Sequence, residues 1–119
     1  MSKSIIKDKS FKFAVRIVNL YKYLCETKKE FVLSKQMLRS GTSIGANVRE
    51  SLNAESTADF IHKLAISQKE SDETLYWIEL LKETEYLSEN EFLSIHSDCA
   101  ELLKIIKSII ITTKQKNEK

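Results

Sequence analysis

The 119-residue chain has no proline and only two glycines, Gly41 and Gly45, both in the stretch MLRSGTSIGANVRE at residues 37–50. A β-sandwich or an alternating α/β chain needs such residues to punctuate its turns, so their scarcity points to an all-α protein. Cysteine is almost as rare. Cys25 and Cys99 each sit inside an apolar helical pattern, without the paired spacing of a zinc site or a redox motif, and are expected to be reduced core thiols. No segment approaches the roughly 18 unbroken apolar residues of a membrane span. Lysines also interrupt MSKSIIKDKS where a signal peptide would be apolar. The expectation is a cytoplasmic protein with no membrane partner. Histidine is limited to His62 and His96. Asp59 precedes the first by three residues but Leu93 precedes the second, so the paired Glu-x-x-His motifs of a di-metal bundle are missing. Neither a metal nor a cofactor is expected.

What the chain does have is helical periodicity. With 42% hydrophobic and 30% charged residues it suits one domain with one core. Four helices are predicted, at about residues 10–28, 34–54, 58–84 and 89–113. The first places Phe11, Ala14, Val18, Tyr21 and Cys25 on one line and Phe13, Ile17, Leu20 and Leu24 on the adjoining one. Whether Ile5 and Ile6 extend it or form a loose arm is open. Ser34 reads as the cap of the second helix, with Leu33 and Leu38 as a hydrophobic staple. The third carries Phe60, Leu64, Ser67, Ser71, Thr74, Ile78 and Leu81 in steps of four and three, so its middle is small and polar. A capping box, Ser88 with Glu91, starts the fourth, whose seam is Phe92, Ile95, Cys99, Leu102, Ile106 and Ile109. The tail TTKQKNEK is expected to fray. Links of a few residues make successive helices antiparallel, which gives an up-down-up-down four-helix bundle with Cys25 and Cys99 near the same end.

A phosphate loop would need a strand before Gly41 and a lysine after Gly45. Here Asn47 and Val48 follow and no strand precedes. In a helix, Leu38, Gly41, Gly45, Val48 and Leu52 share one line, so the glycines are expected to let another helix approach closely, and alanine is expected to be tolerated there. A second line, Gln36, Ser40, Ser43, Asn47 and Glu50, is polar. It is either a solvated face or a packed seam, within the bundle or between subunits, in which Gln36, Arg39, Ser43, Asn47 and Glu50 meet Lys63, Glu70 and Glu73 of the same or a neighbouring chain.

These same residues carry a family likeness. LSKQMLRSGTSIGANVRES followed by ADFIHKLAISQKESDETLYWIELL resembles the bacterial four-helix-bundle proteins often encoded in intervening sequences of 23S ribosomal RNA genes. The likeness spans about residues 10–110, with Gln36, Arg39, Ser40, Ser43, Ile44, Asn47, Glu50, Asp59, Phe60, Glu73 and Trp77 as its spaced set. It implies a bundle that assembles as a homo-oligomer, a ring of five, with no known enzymatic activity. A related group serves as the accessory protein of diversity-generating retroelements, where a basic ring engages a reverse transcriptase and nucleic acid.

Charge is distributed unevenly. Residues 1–39 hold ten basic and three acidic side chains, 40–103 hold four and thirteen, and 104–119 hold five and one, although the whole chain carries only +2. The first helix and the end of the fourth, from residue 104 on, are therefore basic and the middle is acidic. The third helix has Glu70, Asp72, Glu73 and Glu79, but no nucleophile or second histidine accompanies them, so no enzyme is expected. Tyr76 and Trp77 point different ways on that helix, which suggests that at least one packs at an interface. The leading expectation is a non-enzymatic oligomer that binds RNA or DNA through Lys12, Arg16, Lys104, Lys107, Lys114 and Lys116. The alternative is a protein adaptor or scaffold whose charged faces serve assembly and partner docking.

Overall fold

The computed structural model describes residues 2–117. Its helices are α1 (Ser2–Glu26), α2 (Leu33–Leu52), α3 (Thr57–Glu83) and α4 (Glu89–Asn117). Each packs on its neighbours in the cycle α1, α2, α3, α4, and the diagonal pairs do not meet among the described residues. Lys9 pairs with Glu101 and Arg16 with Asp98, so α1 rises as α4 falls. Ser67 bonds to Ile44 and Thr74 to Ser40, so α2 and α3 are likewise antiparallel. The result is the expected up-down-up-down bundle, a rod of 52 × 22 × 20 Å.

The apolar spacing of the third and fourth helices places the core correctly. Phe60, Leu64, Ser67, Ser71, Thr74, Ile78 and Leu81 are all buried, as are Ile95, Cys99, Leu102 and Ile106. In α1 the burial falls on the second of the two lines: Phe13, Ile17 and Leu24 are enclosed while Phe11 is 58% exposed. The helix starts at Ser2 rather than near residue 10, and Ile6 is buried in the core while Ile5 is not. At the other terminus α4 continues through TTKQKN instead of fraying; Glu118 and Lys119 lie outside the described residues. Thr113 is half-buried there, and its hydroxyl bonds back to the Ile109 carbonyl at 2.7 Å.

The predicted caps divide into those formed and one replaced. Ser88 and Glu91 form the reciprocal box, with Ser88 N–H to Glu91 Oε1 at 2.8 Å and Glu91 N–H to Ser88 Oγ at 3.2 Å. Ser56 caps α3 through the Asp59 N–H at 3.0 Å. Ser34 does not cap α2. It sits inside the helix, where the buried Glu30 carboxylate accepts the N–H groups of Val32, Leu33 and Ser34 at 3.1, 3.0 and 2.7 Å. One carboxylate thus satisfies three of the amides that a helix start leaves unpaired. The chain reaches this geometry through Lys29, whose φ of 57° is left-handed. Glu85, at φ 71°, plays the matching part after α3.

Gly41 and Gly45 lie inside α2, and both face α1. A Cβ on Gly41 would stand 2.9 Å from Cγ1 and Cγ2 of the fully buried Ile17, and one on Gly45 would stand 3.2 Å from the Ser10 carbonyl oxygen. Alanine at Gly41 is therefore not free of cost, contrary to the expectation from helix propensity alone, while at Gly45 it requires the Ser10 backbone to give by a few tenths of an ångström. At Gly41 the obstacle is the inner branch of a core isoleucine, which has little room to move.

The two cysteines do not meet. Cys25 Sγ lies 3.9 Å from Ser34 Oγ, whereas the Cys99 thiol donates to the Ser71 carbonyl at 3.4 Å. Arg16 is level with Asp98, which puts Cys99 beside the middle of α1, roughly 13 Å along the bundle from Cys25 at 1.5 Å per residue. Both thiols are free.

Candidate functional site

The six basic residues marked for phosphate contact do not form one patch. On α1, Lys12 is exposed and has no ion-pair partner among the described residues. Arg16 is engaged within the chain: Nη1 donates to Asp98 Oδ2 at 2.5 Å and Nη2 to Ser94 Oγ at 2.9 Å. Beside it, Lys9 Nζ lies 3.2 Å from Glu101 Oε1. These groups line a groove of about 280 Å³ between α1 and α4, in which two carboxylates already occupy two of the three cations. On α4, Asp98 and Glu101 therefore face α1. His96 faces the other way, toward α3, where its Nε2 lies 3.0 Å from Glu79 Oε2. Lys107 and Lys114 follow His96 by 11 and 18 residues, close to whole turns, and so share its flank. Lys104 points outward, and Lys116 lines a recess with Ser56, Thr57 and Phe60 at the end of the rod. All four α4 lysines are exposed.

The polar stripe of α2 is rotated from the expected seam. Glu50 does pair with Lys63 of α3, at 3.1 Å. Ser43 and Asn47, half-buried, bond instead to carbonyls of their own helix, those of Arg39 and Ser43, at 2.7 and 2.9 Å. Gln36 and Arg39 are exposed, and Glu73 accepts from Trp77 Nε1 at 3.2 Å. The polar groups that join α2 to α3 are hydroxyls. Ser67 Oγ donates to the Ile44 carbonyl at 2.9 Å, and Thr74 Oγ1 lies 2.9 Å from Ser40 Oγ. Ser71 bonds to the Ser67 carbonyl and Thr74 also bonds to that of Glu70, which contributes only this backbone oxygen. Among the described residues no buried side-chain nitrogen or oxygen lacks a partner, so this interior is fully satisfied. Sequence reasoning marked Ser40, Ser67, Ser71 and Thr74 as small and polar but did not join them across α2 and α3.

No three His, Cys, Asp or Glu side chains gather to hold a metal among the described residues. Burial, with Asp72 and Asp98 adding to it, pushes the Cys99 thiol up to about 12, so it stays protonated and unreactive. No helix is long and apolar enough to cross a membrane. What remains available is surface. Phe31 and Val32, in the link between α1 and α2, are 57% and 70% exposed, and Tyr76 is 56% exposed while Trp77 packs half-buried beside it. The prominence of Phe31 and Val32 had no sequence signal beyond their position in a link.

Against known proteins, residues 2–108 match the model of the 23S rRNA-intervening sequence protein family. Among solved structures, the chain is similar to a protein of unknown function from the S23 ribosomal protein family of Bacteroides thetaiotaomicron. The two are 58% identical with a TM-score of 0.92, over 92% of this chain and 98% of that one. Comparison with curated proteins yields no match.

Proposed function

The chain belongs to the 23S rRNA-intervening sequence protein family, and from that premise we propose that it is a non-enzymatic, self-assembling helical bundle that holds RNA or DNA by phosphate contacts. One observation carries this reading. Lys104, Lys107, Lys114 and Lys116 are exposed and unpaired along the last half of α4, and no acidic side chain follows Glu101 among the described residues. The first turns of α1, with Lys7, Lys9 and Lys12, lie at the same end of the rod. Acidic groups collect at the other end, where α3 gives way to α4: Glu79, Glu83, Glu85, Glu89 and Glu91. Lys28, Lys29, Lys35 and Lys82 stand among those carboxylates, so the last half of α4 is the stretch of helix where a polyanion meets cations with no acidic residue between them. A single copy offers few contacts. A ring of five, which the family resemblance implies, repeats them in every subunit, so weak contacts add as one multivalent surface.

Affinity is then largely independent of sequence and falls steeply with salt, because each neutralised phosphate releases counterions. Retention of random RNA and DNA at about 50 mM salt, where such binding is strong, tests this, together with the Lys104→Glu, Lys107→Glu double variant. Weaker binding by the variant with an unchanged oligomer supports the reading. No retention by the wild-type protein overturns it and leaves a protein adaptor, docking through the acidic α3–α4 end, as the better account.

A further inference from the structure

Two exposed strips, on different helices, match each other in height and charge. The first is on α2 and the link before it. Val32, Lys35 and Arg39 are spaced by three and four residues, so they share one face, and Phe31 stands beside Val32. All four are exposed, and neither Lys35 nor Arg39 has an ion-pair partner among the described residues. Phe31 and Val32 are not on a floppy loop. The Glu30 carboxylate holds the N–H groups of Val32, Leu33 and Ser34, which fixes the backbone with both side chains turned out. Apolar side chains held rigidly in water lose little freedom when something covers them.

The second strip is on α3. Asp72, Tyr76, Glu79 and Glu83 follow one another by four, three and four residues along one face. Tyr76 is a half-exposed knob flanked by carboxylates, of which only Glu79 has a partner among the described residues, His96. The Thr74 to Ser40 hydrogen bond fixes the relative height of the two helices. Because they are antiparallel, α2 residues 32–39 stand level with α3 residues 75–82. A contact between these strips in two parallel copies therefore needs no slide along the rod.

We propose that the Phe31, Val32, Lys35, Arg39 ridge of one copy docks on the Asp72, Tyr76, Glu83 strip of a second copy of this chain. The inference rests on the self-assembly part of the proposed function and assigns its interface. At this register Arg39 stands level with residue 75, between Asp72 and Tyr76, and Lys35 level with residue 79, between Tyr76 and Glu83, so basic groups meet acidic ones while the apolar pair covers the strip beside Glu83. The two faces differ, so the contact is heterologous and propagates from copy to copy until a ring closes.

The test uses two full-length variants, Lys35→Glu with Arg39→Glu and Asp72→Lys with Glu83→Lys, with light scattering to read mass and far-UV circular dichroism to check folding. All four positions are exposed, so both variants are expected to keep wild-type helicity. Each alone is expected to be monomeric, since like charges then meet. Combined in one chain, the four substitutions are expected to restore assembly, because the acidic ridge of each copy then faces the basic strip of the next. A Phe31→Ala, Val32→Ala variant is expected to self-associate roughly tenfold more weakly or worse, as for centrally placed apolar anchors. Folded single variants that remain assembled, in a protein whose wild type assembles, overturn the interface while leaving self-assembly standing. A wild type that is monomeric at every concentration overturns both.

Discussion

Where α2 meets its neighbours, the groups between the helices are as short as side chains can be; where α1 meets α4, they are long and charged. Gly41 and Gly45 admit α1, and Ser40, Ser67 and Thr74 join α2 to α3 by buried hydroxyl contacts of 2.9 Å. Arg16 and Lys9 instead reach across the α1–α4 groove to Asp98 and Glu101 at a half-exposed surface. The two arrangements differ in what they can specify. Short buried groups tolerate no change in volume and fix the register of the helices, because each hydroxyl must find its partner or remain unsatisfied out of water. Exposed ion pairs are screened and adjustable, and contribute little to stability. The same carboxylate chemistry shows the contrast: Glu30 is buried on three backbone amides, while Asp98 shares a wet surface with one guanidinium.

The largest effect is expected at Gly41. Gly41→Ala drives a methyl against the inner branches of Ile17 and is predicted to destabilise the protein by about 1–3 kcal/mol in urea unfolding. A neutral or stabilising Gly41→Ala would erase the distinction drawn for α2. Next comes Glu30→Gln, predicted to cost about 1–2 kcal/mol at neutral pH, as for a strong helix cap. Burial pushes the Glu30 carboxyl up, but the amides of Leu33, Ser34 and Val32 outweigh this and hold it below the ordinary 4.5. A lowered folded pKa means the cap's contribution is present above 4.5 and is lost as pH falls through the folded value. The gap between wild type and Glu30→Gln should therefore close in acid, and a gap that widens instead would refute the assignment. The smallest effect belongs to the α1–α4 groove. Arg16→Ala is predicted to cost at most about 1 kcal/mol, and less as salt is raised from about 0.1 to 1 M.

Much of the fold was legible because local rules sufficed. The capping box at Ser88 and Glu91 is a contact between near neighbours in the chain, and the regular spacing of α3 and α4 leaves one choice of buried face. The start of α2 was harder. Ser34 has the right residue type, yet Glu30 takes the amides, and that depends on Lys29 adopting a left-handed conformation that favours glycine in a sequence that offers none there. The start of α1 was missed because Ile6, but not Ile5, is buried by helices far away in sequence.

The candidate surfaces divide the same way. Helical class, helix number, the glycine contact and the basic and acidic segments follow from residue type and period, which act within a few turns of one helix. The rotation of α1 and α2 about their own axes does not. It decided that Ser40 rather than Gln36 faces α3, that Phe13 rather than Phe11 enters the core, and that Arg16 turns to Asp98 while Lys107 and Lys114 lie on the opposite flank of α4. Adjacent lines on a helix are equally good by period alone, and close packing of Gly41 on Ile17 and Gly45 on Ser10 selects between them, because two helices that touch at backbone distance have only one rotation that avoids a clash.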